Sequence, residues 1–137
     1  MPNATRILLV DDDLDDRELF NEAVKEIDRS IELTFAMNGE SALKLLNQNE
    51  TPPDYIFLDL NMPKMDGKQF LKLLKTNGRF QPVPVIIYST SKLDVDIEET
   101  KRSGAIHFIT KPISFSILID SIRFVLSKKW QLSRASS

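Results

Sequence analysis

The stretch Ile7-Leu8-Leu9-Val10-Asp11-Asp12-Asp13 decides the fold. An unbroken aliphatic run suits a strand buried on both faces, as in a parallel sheet covered by helices. The run ends abruptly in carboxylates. The same pattern returns along the chain. Tyr55-Ile56-Phe57-Leu58 runs into Asp59, Val85-Ile86-Ile87-Tyr88 into Ser89, and Phe108-Ile109-Thr110 into Lys111-Pro112. Ligand sites of open α/β sheets lie outside the carboxyl ends of the strands. These ends would gather carboxylates, a hydroxyl and an ammonium in one crevice. Such a set can bind Mg²⁺ and accept a phosphoryl group.

Between the strands lie helical patterns, so strand and helix alternate throughout. The first helix is expected over 14–27, with Leu19, Phe20, Ala23, Val24 and Ile27 on its core face. Ile31-Glu32-Leu33-Thr34-Phe35 alternates and reads as an edge strand with one wet face. The second helix is expected over 38–46. The third follows Asp66-Gly67 with Phe70, Leu71, Leu73 and Leu74 inward. The fourth, over 94–102, is highly charged and should pack weakly. Gly104 suits the position just past its end. The fifth, over 114–127, should turn Phe115, Leu118, Ile119, Ile122 and Leu126 to the core. The expected class is α/β, a doubly wound five-stranded parallel sheet with five helices.

A length of 137 residues fits one domain, here expected over 1–130 with a polar tail at 131–137. The net charge of −2 gives no footprint for nucleic acid. There is no cysteine, hence no disulfide and no thiolate metal site. The single histidine excludes a multi-histidine metal site within one chain. No secretory leader or membrane span is legible. A cytoplasmic location is therefore expected, with no membrane or nucleic-acid partner.

Five of the six residues at 11–16 are aspartates. Their mutual repulsion calls for a cation or a positive partner. Capping of the first helix explains Asp15 and Asp16, since acids favour helix N-termini. It explains Asp11 and Asp12 less well, because they sit at the mouth of a buried strand. Asp11, Asp13, Asp15 and Glu22 also match carboxylate positions of a calcium loop, but Asp16 stands where that loop needs glycine. A Mg²⁺ site fits better. That ion takes one or two carboxylates and shares oxygens with a phosphate, and two acids here meet Asp59 on another strand.

Asp59-Leu60-Asn61-Met62-Pro63-Lys64-Met65-Asp66-Gly67 is the most specific string in the chain. A carboxylate directly after a buried strand is held rigidly, and beside Mg²⁺ it can attack phosphorus. Pro63 prevents an immediate helix, and Asp66-Gly67 restarts one. With the Asp11-Asp12 pair, Ser89 and Lys111-Pro112, this string resembles the receiver domain of two-component response regulators over roughly residues 6–126.

The resemblance implies the strand order 2-1-3-4-5. It implies that Asp59 is the phosphoacceptor. Asp12 and Asp59 would ligate Mg²⁺ with the backbone carbonyl of Asn61, and Asp11 would act mostly through a coordinated water. Lys111 would pair with Asp59 and then with a phosphoryl oxygen. Ser89 would donate its hydroxyl to the phosphoryl group, and Phe108 would be the aromatic switch residue. A cis Lys111–Pro112 bond is implied too. Phosphate would come from a sensor histidine kinase or a histidine phosphotransfer protein. With no output domain expected, signalling would run through a downstream protein or a relay.

Several residues depart from that pattern or add to it. Ser89 replaces the commoner threonine and loosens coupling to Phe108. Thr90 stands where small residues are usual and would narrow access for small phosphodonors. His107, one residue before Phe108, should face the other side of the sheet and serve structure. Trp130 reads as a packed anchor. Ile113, Ile117 and Phe124 form a second apolar stripe on the fifth helix. Either that helix is buried more widely, or the stripe is a partner or homodimer surface across the fourth helix, fifth strand and fifth helix. The loop at 77–82 and Lys128-Lys129-Trp130 are similar to those of small phytochrome-associated response regulators. Competing classes fit less well. A phosphohydrolase with an aspartate nucleophile needs a second acid where Asn61 stands. A nucleotide or flavin binder needs a glycine-rich loop where the aspartates stand. A scaffold without phosphorylation would not need the complete residue set.

Overall fold

The computed structural model describes residues 4–62 and 65–128. Strand and helix alternate as β1 (Arg6–Val10), α1 (Leu14–Ile27), β2 (Glu32–Ala36), α2 (Gly39–Gln48), β3 (Tyr55–Leu58), α3 (Gly67–Thr76), β4 (Val85–Ser89), α4 (Asp94–Arg102), β5 (His107–Thr110) and α5 (Phe115–Ser127). The strands form one parallel sheet in the order β2-β1-β3-β4-β5. The doubly wound class and its strand order are as expected. Pro63, Lys64, Trp130 and the tail at 131–137 lie outside the described residues.

The uninterrupted apolar runs are explained by two cores. Ile7, Leu9, Phe57, Ile86 and Ile109 pack with Phe20, Ala23 and Val24 of α1 and Leu118, Ile122 and Val125 of α5. Their strand neighbours Leu8, Val10, Ile56, Leu58, Val85 and Ile87 face the other way. They meet Ala42 and Leu46 of α2 and Phe70, Leu71 and Leu74 of α3. Successive side chains of a strand point to opposite faces, so burial on both sides requires apolar residues at every position. β2 pairs only with β1 and leaves Glu32 exposed, as an edge strand should.

Helix boundaries follow local chemistry. The Asp13 carboxylate accepts from the N–H groups of Asp15 and Asp16 and starts α1. Asn38 does the same for α2 through Ser41 N. Asp66 and Gln69 form a reciprocal capping box at α3. Gly104, at φ 112°, ends α4. Gly104 N–H bonds Lys101 O and Ala105 N–H bonds Thr100 O, the paired bonds of a Schellman motif. Weak packing of α4 is also seen, as Thr100 is its only buried residue.

Four core assignments need correction. Leu19 and Leu73 are 45% and 41% exposed. Each lies off a narrow face, set by Phe20, Ala23 and Val24 in α1 and by Phe70, Leu71 and Leu74 in α3. Phe115 sits in the opening turn of α5 and is 38% exposed, while Val125, absent from the expected face, is fully buried. Nor is α5 buried more widely, because Ile113, Ile117 and Phe124 are all exposed. His107 faces α5, its ring 5.3 Å from that of Phe124, whereas Phe108 packs on the opposite core. Among the described residues no helix is long and apolar enough to cross a membrane.

Candidate functional site

Sheet register brings the candidate residues level. Val10 pairs with Leu58, and Ser89 with Thr110. One residue further, the Asp59 N–H donates to Val10 O at 2.9 Å and the Asp11 N–H to Ala36 O at 2.9 Å. The Lys111 N–H donates to Ser89 O at 2.7 Å. Each of these three residues thus extends a ladder by one rung before its strand ends.

Asp11, Asp59 and Ser89 are buried, and Asp12 is more open. Ligand atoms of Asp11, Asp12 and Asp59 all lie within 4.8 Å of one another. Two of the carboxylates are oriented by the chain that follows them. Asp13 N–H bonds Asp11 Oδ1 at 3.0 Å, and Asn61 N–H reaches Asp59 Oδ1 at 3.3 Å. Asn61, at the open end of β3, lines a cleft of about 430 Å³ with Asp12, Leu60, Met62, Lys68 and Asp96.

Lys111 is the cation of the site. Its Nζ lies 2.6 Å from Asp16 Oδ2, 2.9 Å from Asp11 Oδ2 and 3.7 Å from Asp59 Oδ2. The expected Lys111–Asp59 pair is therefore the longest of three. Asp16 was expected to cap α1. The cap is Asp13 instead, which leaves the Asp16 carboxylate free to turn to the lysine. Asp11 Oδ2 is buried, with the Lys111 ammonium as its ion-pair partner. Three carboxylates, those of Asp11, Asp16 and Asp59, thus share one ammonium, and Asp12 lies beside two of them. The excess of negative charge on closely spaced carboxylates fits a hard divalent cation.

Burial pushes Asp59 up to about 6, with Asp11 adding to the shift and Lys111 opposing it. Asp11 is also raised, mainly by burial, against the Asp13 N–H and Lys111. Burial works to lower the Lys111 pKa, but the carboxylates of Asp16 and Asp11 outweigh it and hold that pKa above the ordinary value. Carboxylates outnumber the ammonium around Asp59.

Ser89 Oγ accepts from Ser91 N–H at 3.2 Å. Ser91 Oγ in turn bonds Asp96 Oδ2 at 2.5 Å, and Asp96 Oδ1 pairs with Lys68 Nζ at 2.6 Å. This chain of contacts ties the end of β4 to α4 and α3. Phe108 pairs in register with Ile87, two residues before Ser89 on the same face. It lines a cavity of about 280 Å³ with Ile97, Thr100 and Ala105. The Lys111–Pro112 bond is trans, not cis as the resemblance implied, since no described peptide bond is cis. The trans form is intrinsically favoured by about 0.5–1 kcal/mol at X–Pro bonds.

Asp16, Ser91, Asp96, Lys68 and Tyr88 were not singled out from the sequence as site residues. The Tyr88 ring lies 5.2 Å from Lys111 Nζ. Only Asp16 left a trace, as part of an acidic run too dense for capping alone.

Comparison with known proteins agrees with this geometry. The model of the response regulator receiver domain family matches residues 7–123. Response regulator Rcp1 of Synechocystis sp. is 30% identical over 126 residues, covering 88% of this chain and 86% of Rcp1. The solved Mn²⁺-bound form of Rcp1 superposes with a TM-score of 0.80 at 28% identity, over 95% of this chain and 99% of that one. The phosphorylated cyanobacterial phytochrome response regulator RcpA gives a TM-score of 0.82 at 31% identity, over 89% of this chain and 91% of that one. The 3′,5′-cyclic-nucleotide phosphodiesterase regA of Dictyostelium discoideum is 30% identical over 131 residues, and there this chain spans 16% of the relative's length. The chain belongs to the response regulator receiver domain family.

Proposed function

We propose that this chain takes a phosphoryl group on Asp59 from a phosphohistidine of a sensor histidine kinase or phosphotransfer protein. The observation that carries this is the Asp59 carboxylate, fixed at the end of β3 within 4.8 Å of Asp11 and Asp12 and 3.7 Å from Lys111. An Asp59 oxygen attacks phosphorus, the P–N bond of the phosphohistidine breaks, and an acyl phosphate forms on Asp59. Asp12, Asp59 and the Asn61 carbonyl would hold Mg²⁺, with Asp11 acting through water. When bound, the ion neutralises charge between the carboxylates and the incoming phosphoryl oxygens.

The chain supplies positioning. Lys111 donates to a phosphoryl oxygen. Ser89, whose buried Oγ accepts from Ser91 N–H, moves to donate its own proton to the phosphoryl group. Movement of Ser89 opens room on the face that Phe108 shares, next to the 280 Å³ cavity. A charge change at Asp59 thereby biases a two-state element at β4, β5 and α4. The exposed Ile113, Ile117 and Phe124 support output by protein contact, with a downstream partner or a second copy, or by passing the phosphoryl group onward. The setting is cytoplasmic, with neither nucleic acid nor membrane as a partner. The chain takes part in its own phosphotransfer and in its own dephosphorylation.

The test is Mg²⁺-dependent labelling by acetyl phosphate, followed by intact mass. One added phosphate, lost in Asp59→Asn and without Mg²⁺, is expected. Continuous Asp59-dependent release of phosphate from unrelated esters, with no adduct, would instead mark a hydrolase.

A further inference from the structure

Asp16 is the nearest partner of Lys111, yet it lies outside the three-carboxylate cluster. An ammonium has three protons to donate. Two short contacts go to Asp16 at 2.6 Å and Asp11 at 2.9 Å, while Asp59 at 3.7 Å is beyond hydrogen-bonding distance. The backbone of Asp16 is fixed independently of the lysine. It stands in the first turn of α1, its N–H held at 3.1 Å by the Asp13 cap. The lysine side chain is 10% exposed and that of Asp16 26%, so water screens the contact weakly. Without Asp16, the acceptors left near Nζ are Asp11 and Asp59. The ammonium would then close the remaining gap to Asp59 Oδ2 and occupy it.

We infer that Asp16 is a positioning residue for phosphotransfer. It draws the Lys111 ammonium toward α1 and so keeps the Asp59 oxygen open to a divalent cation and to phosphorus. This rests on Asp59 as phosphoacceptor. It also gives Lys111 a fixed pivot. Asp16 holds one proton of the ammonium while another is free to meet a phosphoryl oxygen.

The experiment compares wild type, Asp16→Asn, Asp16→Glu, Lys111→Met and the Asp16→Asn/Lys111→Met double variant. Mg²⁺ binding is measured by calorimetry, and the Mg²⁺ dependence of acetyl phosphate labelling by intact mass. Asp16→Asn should weaken the Mg²⁺ Kd about fivefold, the size of a coupling between contacting charged groups. The Mg²⁺ concentration for half-maximal labelling should rise in parallel. Asp16→Glu should restore most of the Kd. In the Lys111→Met background the Asp16→Asn effect on Kd should vanish. An unchanged Kd in Asp16→Asn would overturn the inference. So would a shift of equal size in the Lys111→Met background, because Asp16 would then act only through its field. Failure of wild type to label at all would count against Asp59 as phosphoacceptor, while the calorimetric comparison would still decide whether Asp16 acts through Lys111.

Discussion

Gly67 is the smallest residue on which the site depends. It opens α3, is buried, and donates its N–H to Leu60 O at 3.0 Å. A Cβ built there would sit 2.3 Å from Asp59 O and 2.6 Å from Leu60 Cα. Ordinary contact begins at 3.4 Å, so the shortfall against Asp59 is about 1.1 Å. Both obstructing atoms are backbone, and the Asp59 N–H is anchored to Val10 O. Nothing flexible can yield, so α3 and the Asp59–Leu60 segment must part. Glycine to alanine in a helix normally stabilises, by about 1 kcal/mol. Here Gly67→Ala should destabilise by about 1–3 kcal/mol through overpacking. That corresponds to a melting temperature lower by about 3–10 °C for a domain of this size. A misplacement of about 1 Å costs on the order of 10²-fold in rate when the reacting group is displaced. Thermal melting and the initial rate of Mg²⁺-dependent acetyl phosphate labelling test both effects. Wild-type melting would refute the steric argument. A clear melting loss with an unchanged labelling rate would refute the claim that α3 sets the position of Asp59.

Asp59→Asn should stabilise the metal-free protein. The folded pKa, about 6 against an ordinary 3.8, means the folded state binds more protons than the unfolded one between those values. Stability from this group therefore falls as pH rises through that window. The gain in Asp59→Asn is at most about 3 kcal/mol at neutral pH and should fade by about pH 4, as urea unfolding at the two pH values would show. An equal gain at both would contradict the assignment. Lys75 behaves with the opposite slope. Burial lowers its pKa from 10.5 to about 8, and its Nζ donates to the carbonyls of Gln81 and Val83 at 3.0 and 2.7 Å. The unfolded state binds the extra proton, so stability should rise between those pH values, and Lys75→Met should remove that slope. Thr90 is exposed beside buried Ser89, and Thr90→Ala should speed labelling by acetyl phosphate, an unchanged rate counting against a gating role.

The sheet and the strand-end residues were legible because burial on both faces forces uninterrupted apolar runs, and such runs end where the sheet ends. Asp11, Asp59, Ser89 and Lys111 could be placed in one crevice on that ground alone. The helix faces were read less well. Leu19 and Leu73 look no different in sequence from the leucines beside them. Only the narrow contact line between helix and sheet excludes them. Asp16 was hidden for another reason. Its partner lies 95 positions away, and no periodicity within α1 announces a lysine at the end of β5. A carboxylate in the first turn of a helix already has a sufficient local explanation, and here that explanation belongs to Asp13.

The ladder bonds made by Asp11, Asp59 and Lys111 separate chemistry from architecture. Each is made by a main-chain N–H, which every residue except proline possesses. Side chains at these positions can therefore change while the last rungs of the sheet persist. A lineage could change the side chain at Asp59 by drift and still inherit the same surface at α4, β5 and α5. Loss of chemistry and loss of shape would then be independent events in the history of such a protein.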